Sequence, residues 1–244
     1  MLINTKALVL KSVPFKESDL IVTLFTERLG KTTVLVKGAK KMKSRLSHSI
    51  QVFTIGHYTF YKKNNNLPIL RQGDVVLAHK NPSLNFGILS ASYYVCEFIN
   101  FFMPENEPNP KFFNLAAKTM HLLTSRSKEA LLILAGFKIK SMALMGYAPC
   151  LTECVLCGQS KDDYIFSISQ GGLVCDGCLP HKNKFITKRQ RFLMLLLLRT
   201  TFEEILKADI QEKEIKQMNI IFNKYIQYYS DGHIFKSEQV FQKI

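Results

Sequence analysis

Apolar and polar positions follow a strand-like pattern through the first eighty residues and a helical one afterwards. The β-rich run Ile3–Leu10 is followed by a turn at Pro14–Lys16, then by Leu20–Phe25, rich in β-branched and aromatic residues. Leu29-Gly30-Lys31 supplies a tight turn into a third strand, Thr32–Lys37, which Gly38 ends. A fourth strand is expected over Ile50–Tyr61 and a fifth over Leu67–Ala78, with an interruption near Gly73 and a polar turn at Lys62–Asn66 between them. Five strands in about 75 residues suit a small closed barrel of the OB type. Beyond Asn81-Pro82, Ser83 is placed to cap a helix, and Leu84, Ile88, Tyr94, Val95, Phe98 and Phe102 recur at helical spacing up to Met103. Phe112–Thr124 and Ala130–Met145 predict two more helices, Thr187 caps an apolar one through Leu198, and Glu214–Tyr229 predicts the last. The stripe Phe192–Leu198 is expected to be helix core.

The expected fold class is therefore α+β: an N-terminal OB-fold barrel followed by a helical domain carrying a metal module. Residues 1–80 form the barrel, 81–150 the first part of the helical bundle, 151–182 the metal module, and 183–244 the C-terminal part of the bundle. The longest apolar run, Phe192–Leu198, is seven residues, against about twenty for a membrane span. The N-terminus lacks the pattern of a secretory signal. A cytoplasmic protein is expected.

Charge changes this picture more than composition does. The net charge is +14, and residues 1–80 account for +10 of it. Between Glu27 and Asp74 there is no acidic side chain, but there are ten basic ones: Arg28, Lys31, Lys37, Lys40, Lys41, Lys43, Arg45, Lys62, Lys63 and Arg71. A one-signed field of this kind attracts polyanions; the bland alternative is a solvated face that aids solubility. The expected DNA contacts are Arg28, Lys31, Lys37, Lys40, Lys41, Lys43, Arg45 and Arg71, with the segment after Gly38 projecting from a loop or short helix. Phe53, Tyr58, Phe60 and Tyr61 are candidates for stacking on bases, each individually more at home in a core.

Five of the six cysteines fall within 29 residues. Cys154-x-x-Cys157 and Cys175-x-x-Cys178 are separated by seventeen residues. Two such knuckles supply four thiolates around one tetrahedral Zn²⁺, a closed site and so a structural one. Tyr164–Ile168 and Gly172–Val174 suit a short hairpin carrying the second knuckle. Cys150 or His181 could serve as a substitute ligand. Cys150, Cys154 and Cys157 also spell a C-x3-C-x2-C spacing that can hold an iron–sulfur cluster, but that reading leaves Cys175 and Cys178 idle. Cys96, in an apolar helix, is expected in the core. No G-x-x-x-x-G-K-[ST], H-E-x-x-H or G-x-S-x-G occurs, so neither ATP hydrolysis nor another enzymatic activity is expected. An RNA-binding or transcription-associated zinc-ribbon factor and a nuclease remain the alternatives, the nuclease disfavoured by the shortage of N-terminal carboxylates.

Several stretches together resemble the RecO family. They are Asp19–Glu27 with Gly30-Lys31, Lys37–Leu46, Leu67–Gln72, Gly146-Tyr147-Ala148-Pro149 and Gly171–Cys175. The resemblance implies an OB-fold followed by a helical bundle with a zinc module, binding of single- and double-stranded DNA, and annealing of complementary strands. It also implies partnership with RecR, often with RecF, to place RecA on strands coated by single-strand-binding protein near the nucleoid.

Overall fold

A computed structural model describes residues 1–63, 66–78, 86–179 and 186–241. Ser83 and Leu84, expected to open the first long helix, lie outside the described residues. The chain divides into two compact units, Met1–Ser127 with Phe235–Ile244, and Lys128–Ile234.

In the first unit, strands β1 (Leu2–Phe15), β2 (Asp19–Thr26), β3 (Gly30–Val36), β4 (Ile55–Tyr61) and β5 (Ile69–Leu77) close into a barrel in the order β1-β2-β3-β5-β4. β1 serves two neighbours, its first half pairing with β4 up to Leu8↔Ile55 and its second half with β2. Its register shifts between Val9 and Lys11; such a bulge adds the twist a shared strand needs. The expected turn at Pro14 is corrected: β1 runs through it, with Pro14 opposite Leu20. Proline is tolerated there because the β4 side of β1 is already unpaired and no ladder donor is lost. Side chains at period two fill the barrel: Val22 and Leu24 from β2, Val34 and Val36 from β3, Tyr58 and Phe60 from β4, all buried. On the opposite face Phe25 meets Phe112 and Phe113, with centroids 6.1 and 5.9 Å away.

Helix α1 (Phe86–Phe102) is buried over most of its surface. Helix α2 (Pro110–Ser125) starts with Pro110 at its first position, and Asn109 Oδ1 accepts the Phe112 N–H at 3.0 Å. The short helix α3 (Lys236–Phe241) starts on Glu97 of α1, which accepts the N–H groups of Lys236 and Ser237 at 3.0 and 3.1 Å. Phe235 beside it packs on Tyr94, Phe98 and Phe101.

In the second unit, the helix Ala130–Leu144 is almost entirely buried. Its Lys138 is fully buried and donates to Asn219 and Asn223 of the helix Glu212–Tyr229. The helix Lys188–Arg199 carries the expected Thr187 cap, completed by Gln190. Its apolar stripe is core only in part: Leu193, Met194 and Leu197 are buried, whereas Phe192 is half exposed. A one-turn helix, Phe202–Ile205, follows, capped by Thr201 and Glu204. The hairpin of β6 (Tyr164–Ser167) and β7 (Gly172–Cys175) completes this unit. Among the described residues, no helix is long and apolar enough to cross a membrane.

The fourth strand starts later than its sequence pattern predicts. Ile50 does not belong to it; the chain from Lys37 to Thr54 runs as turns, and Ile50 points into the barrel core from that segment. Phe53 takes a left-handed conformation (φ 74°) before β4 starts at Ile55. Gly73 does not interrupt β5 either. The register shifts of the β4–β5 pair lie elsewhere, with Arg71 and Val76 as the extra residues. Gly73 is small because the Ser49 side chain and the Tyr58 ring press on it; a Cβ there would lie 2.5 Å from Ser49 Oγ and 3.1 Å from Tyr58. Gly73→Ala is therefore expected to destabilise the protein by about 1–3 kcal/mol, the usual range for overpacking, seen as a lowered thermal midpoint. An unchanged midpoint would contradict this packing.

Candidate nucleic-acid interface and metal centre

The segment between β3 and β4 is an arch with both ends docked on the barrel. At its leading end Ala39 is buried in the barrel core, Gly38 takes φ +63°, and the Gly38 N–H donates to Asp19 Oδ1 at 2.8 Å. Lys40 adds two bonds to the β1–β2 turn: its N–H donates to Ser18 O at 3.0 Å, and its ammonium to Lys16 O at 3.1 Å. At the trailing end Ile50 is buried and Leu46 packs against the same core. The Tyr58 hydroxyl donates to Ser49 O from inside the barrel. Burial pushes the Tyr58 phenol well above its ordinary range, so it remains a donor. Between the two ends the crown turns through Lys41 N–H to Gly38 O and Ser44 N–H to Lys41 O. The expected loop or short helix is thus a run of turns.

Lys37, Lys40, Lys41, Lys43 and Arg45 are all exposed on this arch, with Met42 fully exposed among them. Strand pairing brings other cations to the same end of the barrel. The β1–β2 turn carries exposed Lys16, which the sequence reading passed over because Glu17 and Asp19 dilute the charge there. Leu35 near the end of β3 pairs with Ile69, and its N–H donates to Pro68 O. That pairing places the turn with Lys62 and Lys63, and then Arg71, beside the end of β3; all three side chains are exposed.

Two of the expected contacts lie apart from this group. Arg28 is exposed, but it sits in the β2–β3 turn at the far end of the hairpin from the arch, with its guanidinium on Asn4 O. Lys31, 9% exposed, donates to Asn100 O at 2.8 Å and lies 3.8 Å from the Glu105 carboxylate. Its ammonium is engaged within the fold. Of the four aromatic candidates, Phe53, Tyr58 and Phe60 are buried, and Tyr61 is exposed.

In the second unit, the sulfurs of Cys154, Cys157, Cys175 and Cys178 lie within 4.8 Å of one another. Cys157 and Cys175 are 3.8 Å apart, which is about the edge of a tetrahedron with metal–sulfur bonds of ~2.3 Å. Local backbone bonds build each knuckle. Gly158 N–H donates to Cys154 O at 2.8 Å, with Gly158 at φ +69°, and Cys178 N–H donates to Cys175 O at 3.0 Å. The Val155 N–H pins the first knuckle to Leu173 O of β7. Burial opposes ionisation of Cys154. The backbone N–H groups of Cys175, Cys157 and Leu156 outweigh it and bring that thiol down to about 6. This arrangement can hold one metal ion with four sulfurs.

Cys150 stands outside the four. Its main chain pairs with Gly171 and Leu173, and Gly172 has no room for a Cβ against the Cys150 carbonyl. Its sulfur points toward Thr152 and the Glu153 carbonyl. His181 lies outside the described residues. Sequence reading missed Arg191, which has no motif. Its guanidinium lies 4.8 Å from the Tyr164 ring centroid and donates to Leu151 O and Thr152 O at 2.9 and 2.8 Å, holding the approach to the first knuckle. Cys96 is buried in α1, as expected.

The profile described as Recombination protein O N terminal matches residues 1–78, and that described as Recombination protein O C terminal matches residues 85–239. A DNA repair protein RecO of Alkaliphilus metalliredigens is 30% identical over the full length of both chains. One from a Thermoanaerobacter species is 32% identical over 75% of this chain and 72% of its own. One from Listeria monocytogenes is 26% identical over 96% and 93%.

From the sulfur geometry, Cys154→Ser is expected to release bound metal and lower stability by several kcal/mol, as loss of a ligand from a closed site does. Cys150→Ser should retain the metal. Metal analysis of reduced protein together with thermal melts checks both, and metal loss in Cys150→Ser alone would refute the four-ligand assignment.

Proposed function

The chain belongs to the RecO family of DNA repair proteins, and on that premise we propose that it is a non-enzymatic mediator that binds and anneals DNA through the cationic arch. The observation that carries this reading is the arch itself: Lys37, Lys40, Lys41, Lys43 and Arg45 are exposed on a segment anchored at both ends. Phosphates neutralised by these groups release condensed counterions, which makes binding tight at low salt and steeply salt-dependent. Lys16, Lys62, Lys63 and Arg71 widen the same surface. Lys31 is excluded from the contact set because its ammonium is engaged inside the fold, and Arg28 at the far turn contributes only to long-range attraction.

Annealing needs no catalytic side chain. Cations that screen two strands and hold both at high local concentration suffice. Single- and double-stranded DNA are both ligands of such a surface, since phosphate is common to them. In the family's setting the partners are RecR, often RecF, and single-strand-binding protein, with RecA loaded as the outcome. The metal is one structural Zn²⁺ on Cys154, Cys157, Cys175 and Cys178. Four protein sulfurs leave no open position for chemistry.

Replacing Lys40, Lys41 and Lys43 together by Ala should leave folding intact and weaken DNA binding. The slope of log K against log salt should shrink by roughly 2, at about 0.7 per lost phosphate contact on a single strand. Annealing of complementary strands should fall in parallel. The matching control is Lys213 with Lys216, because Lys216 already pairs with Glu212 at 2.8 Å, and affinity there should change much less. A triple variant that binds and anneals like wild type with an unchanged salt slope would refute the arch as the contact surface.

A further inference from the structure

One carboxylate stands at the leading end of the cationic arch, where simple electrostatics would not place it. Asp19 is half-buried. Its Oδ1 accepts the Gly38 N–H at 2.8 Å and the Ser18 hydroxyl at 3.3 Å. The next residue but one after Gly38, Lys40, bonds back to Ser18 O and Lys16 O. Asp19 thus closes a small ring of contacts between the β1–β2 turn and the start of the arch. The Gly38 N–H, then the Ser18 hydroxyl and the charges of Lys16 and Lys37, outweigh burial and hold this carboxyl below its ordinary range, so it stays ionised. An ionised carboxylate among cations repels an approaching phosphate, and on charge alone its removal should tighten DNA binding.

We infer that Asp19 is a positioning residue for DNA binding: by holding the Gly38 N–H it fixes the leading end of the arch, so that Lys40 and its neighbours meet the phosphates in one arrangement. The inference rests on the arch being the DNA contact. Without the carboxylate, the Gly38 N–H loses its partner on the β1–β2 turn, only the two Lys40 bonds remain there, and a looser arch must be ordered each time DNA binds. That ordering cost appears as lost affinity.

The test is a charge-matched pair of full-length variants, Asp19→Asn and Asp19→Ala. Both remove the same negative charge, but Asn keeps a carbonyl oxygen that can accept the Gly38 N–H. Binding of a fluorescent single-stranded oligonucleotide and the rate of trypsin cleavage between Lys37 and Arg45 are measured for each. Asp19→Asn should bind at least as tightly as wild type and resist trypsin equally. Asp19→Ala should bind about three- to tenfold more weakly, the range that the net effect of one ordinary hydrogen bond gives, and should be cut faster in the arch. Equal affinity and equal cleavage of the two variants would overturn the inference. The Lys40, Lys41 and Lys43 triple variant, assayed alongside, separates the two levels: if it binds like wild type, the DNA contact itself is wrong. If it is weakened while Asp19→Ala and Asp19→Asn behave alike, only the role of Asp19 fails. Should Asp19→Ala not fold, amide exchange in the wild-type chain decides. The Gly38 amide, whose acceptor is Asp19, should exchange more slowly than those of Met42 and Lys43, and equal rates would overturn the inference.

Discussion

Burial of the two ends of the β3–β4 segment in the barrel core is the constraint on which the rest of the first unit depends. Five cations follow one another between Lys37 and Arg45, and unit charges 4 Å apart in water repel by about 1 kcal/mol, less where salt screens them. Left alone, such a segment would spread into solvent. Burying a side chain the size of Ile50 contributes roughly 2–3 kcal/mol, and Ala39 adds a smaller share at the other end, so apolar docking outweighs the repulsion. Tyr58 and Gly73 exist in their present form because of this. The tyrosine reaches the Ser49 carbonyl from inside the barrel, and the glycine leaves space for Ser49. The arch is therefore a charged surface on a fixed base, with its cations already gathered in one place.

The second unit solves a different problem. Its cysteine module has one small two-stranded sheet and a small apolar cluster, Leu151, Tyr164, Ile165, Leu173 and Val174, and local bonds hold it together. Main-chain bonds tie Cys150 and Val155 to the β7 hairpin, and Arg191 clamps the carbonyls of Leu151 and Thr152. The four sulfurs then converge on one point. Four converging sulfurs with no open side are the form of a structural site, in which a bound ion would add to the module's stability.

Much of this was legible in the sequence because the controlling signals are local. Strand alternation, the Thr187 cap and the paired C-x-x-C spacing each act over a few residues, and each appears in the structure. What the sequence could not show is what a distant partner decides. Ile50 has the character of a strand residue, but it is the docked end of the arch. The short C-terminal helix has no cap of its own, since Glu97 supplies it from 139 residues away. Lys31 has the same sequence character as its basic neighbours, yet it is bound by Asn100 and Glu105. Strand topology likewise separates Arg28 from the arch and brings Lys16 to it. The helix at Phe202 is a different kind of miss, because Thr201-Phe202-Glu203-Glu204 carries a capping-box signature that was there to be read.

The central claim is that the arch is where DNA is held, and hydrogen exchange across the whole chain with and without a single-stranded oligonucleotide tests it most directly. The account predicts that bound DNA slows exchange at residues 37–45, and with them at residues 16–18 and 62–63. Slowing confined to residues 128–234, with the arch exchanging as it does in the free protein, would contradict it.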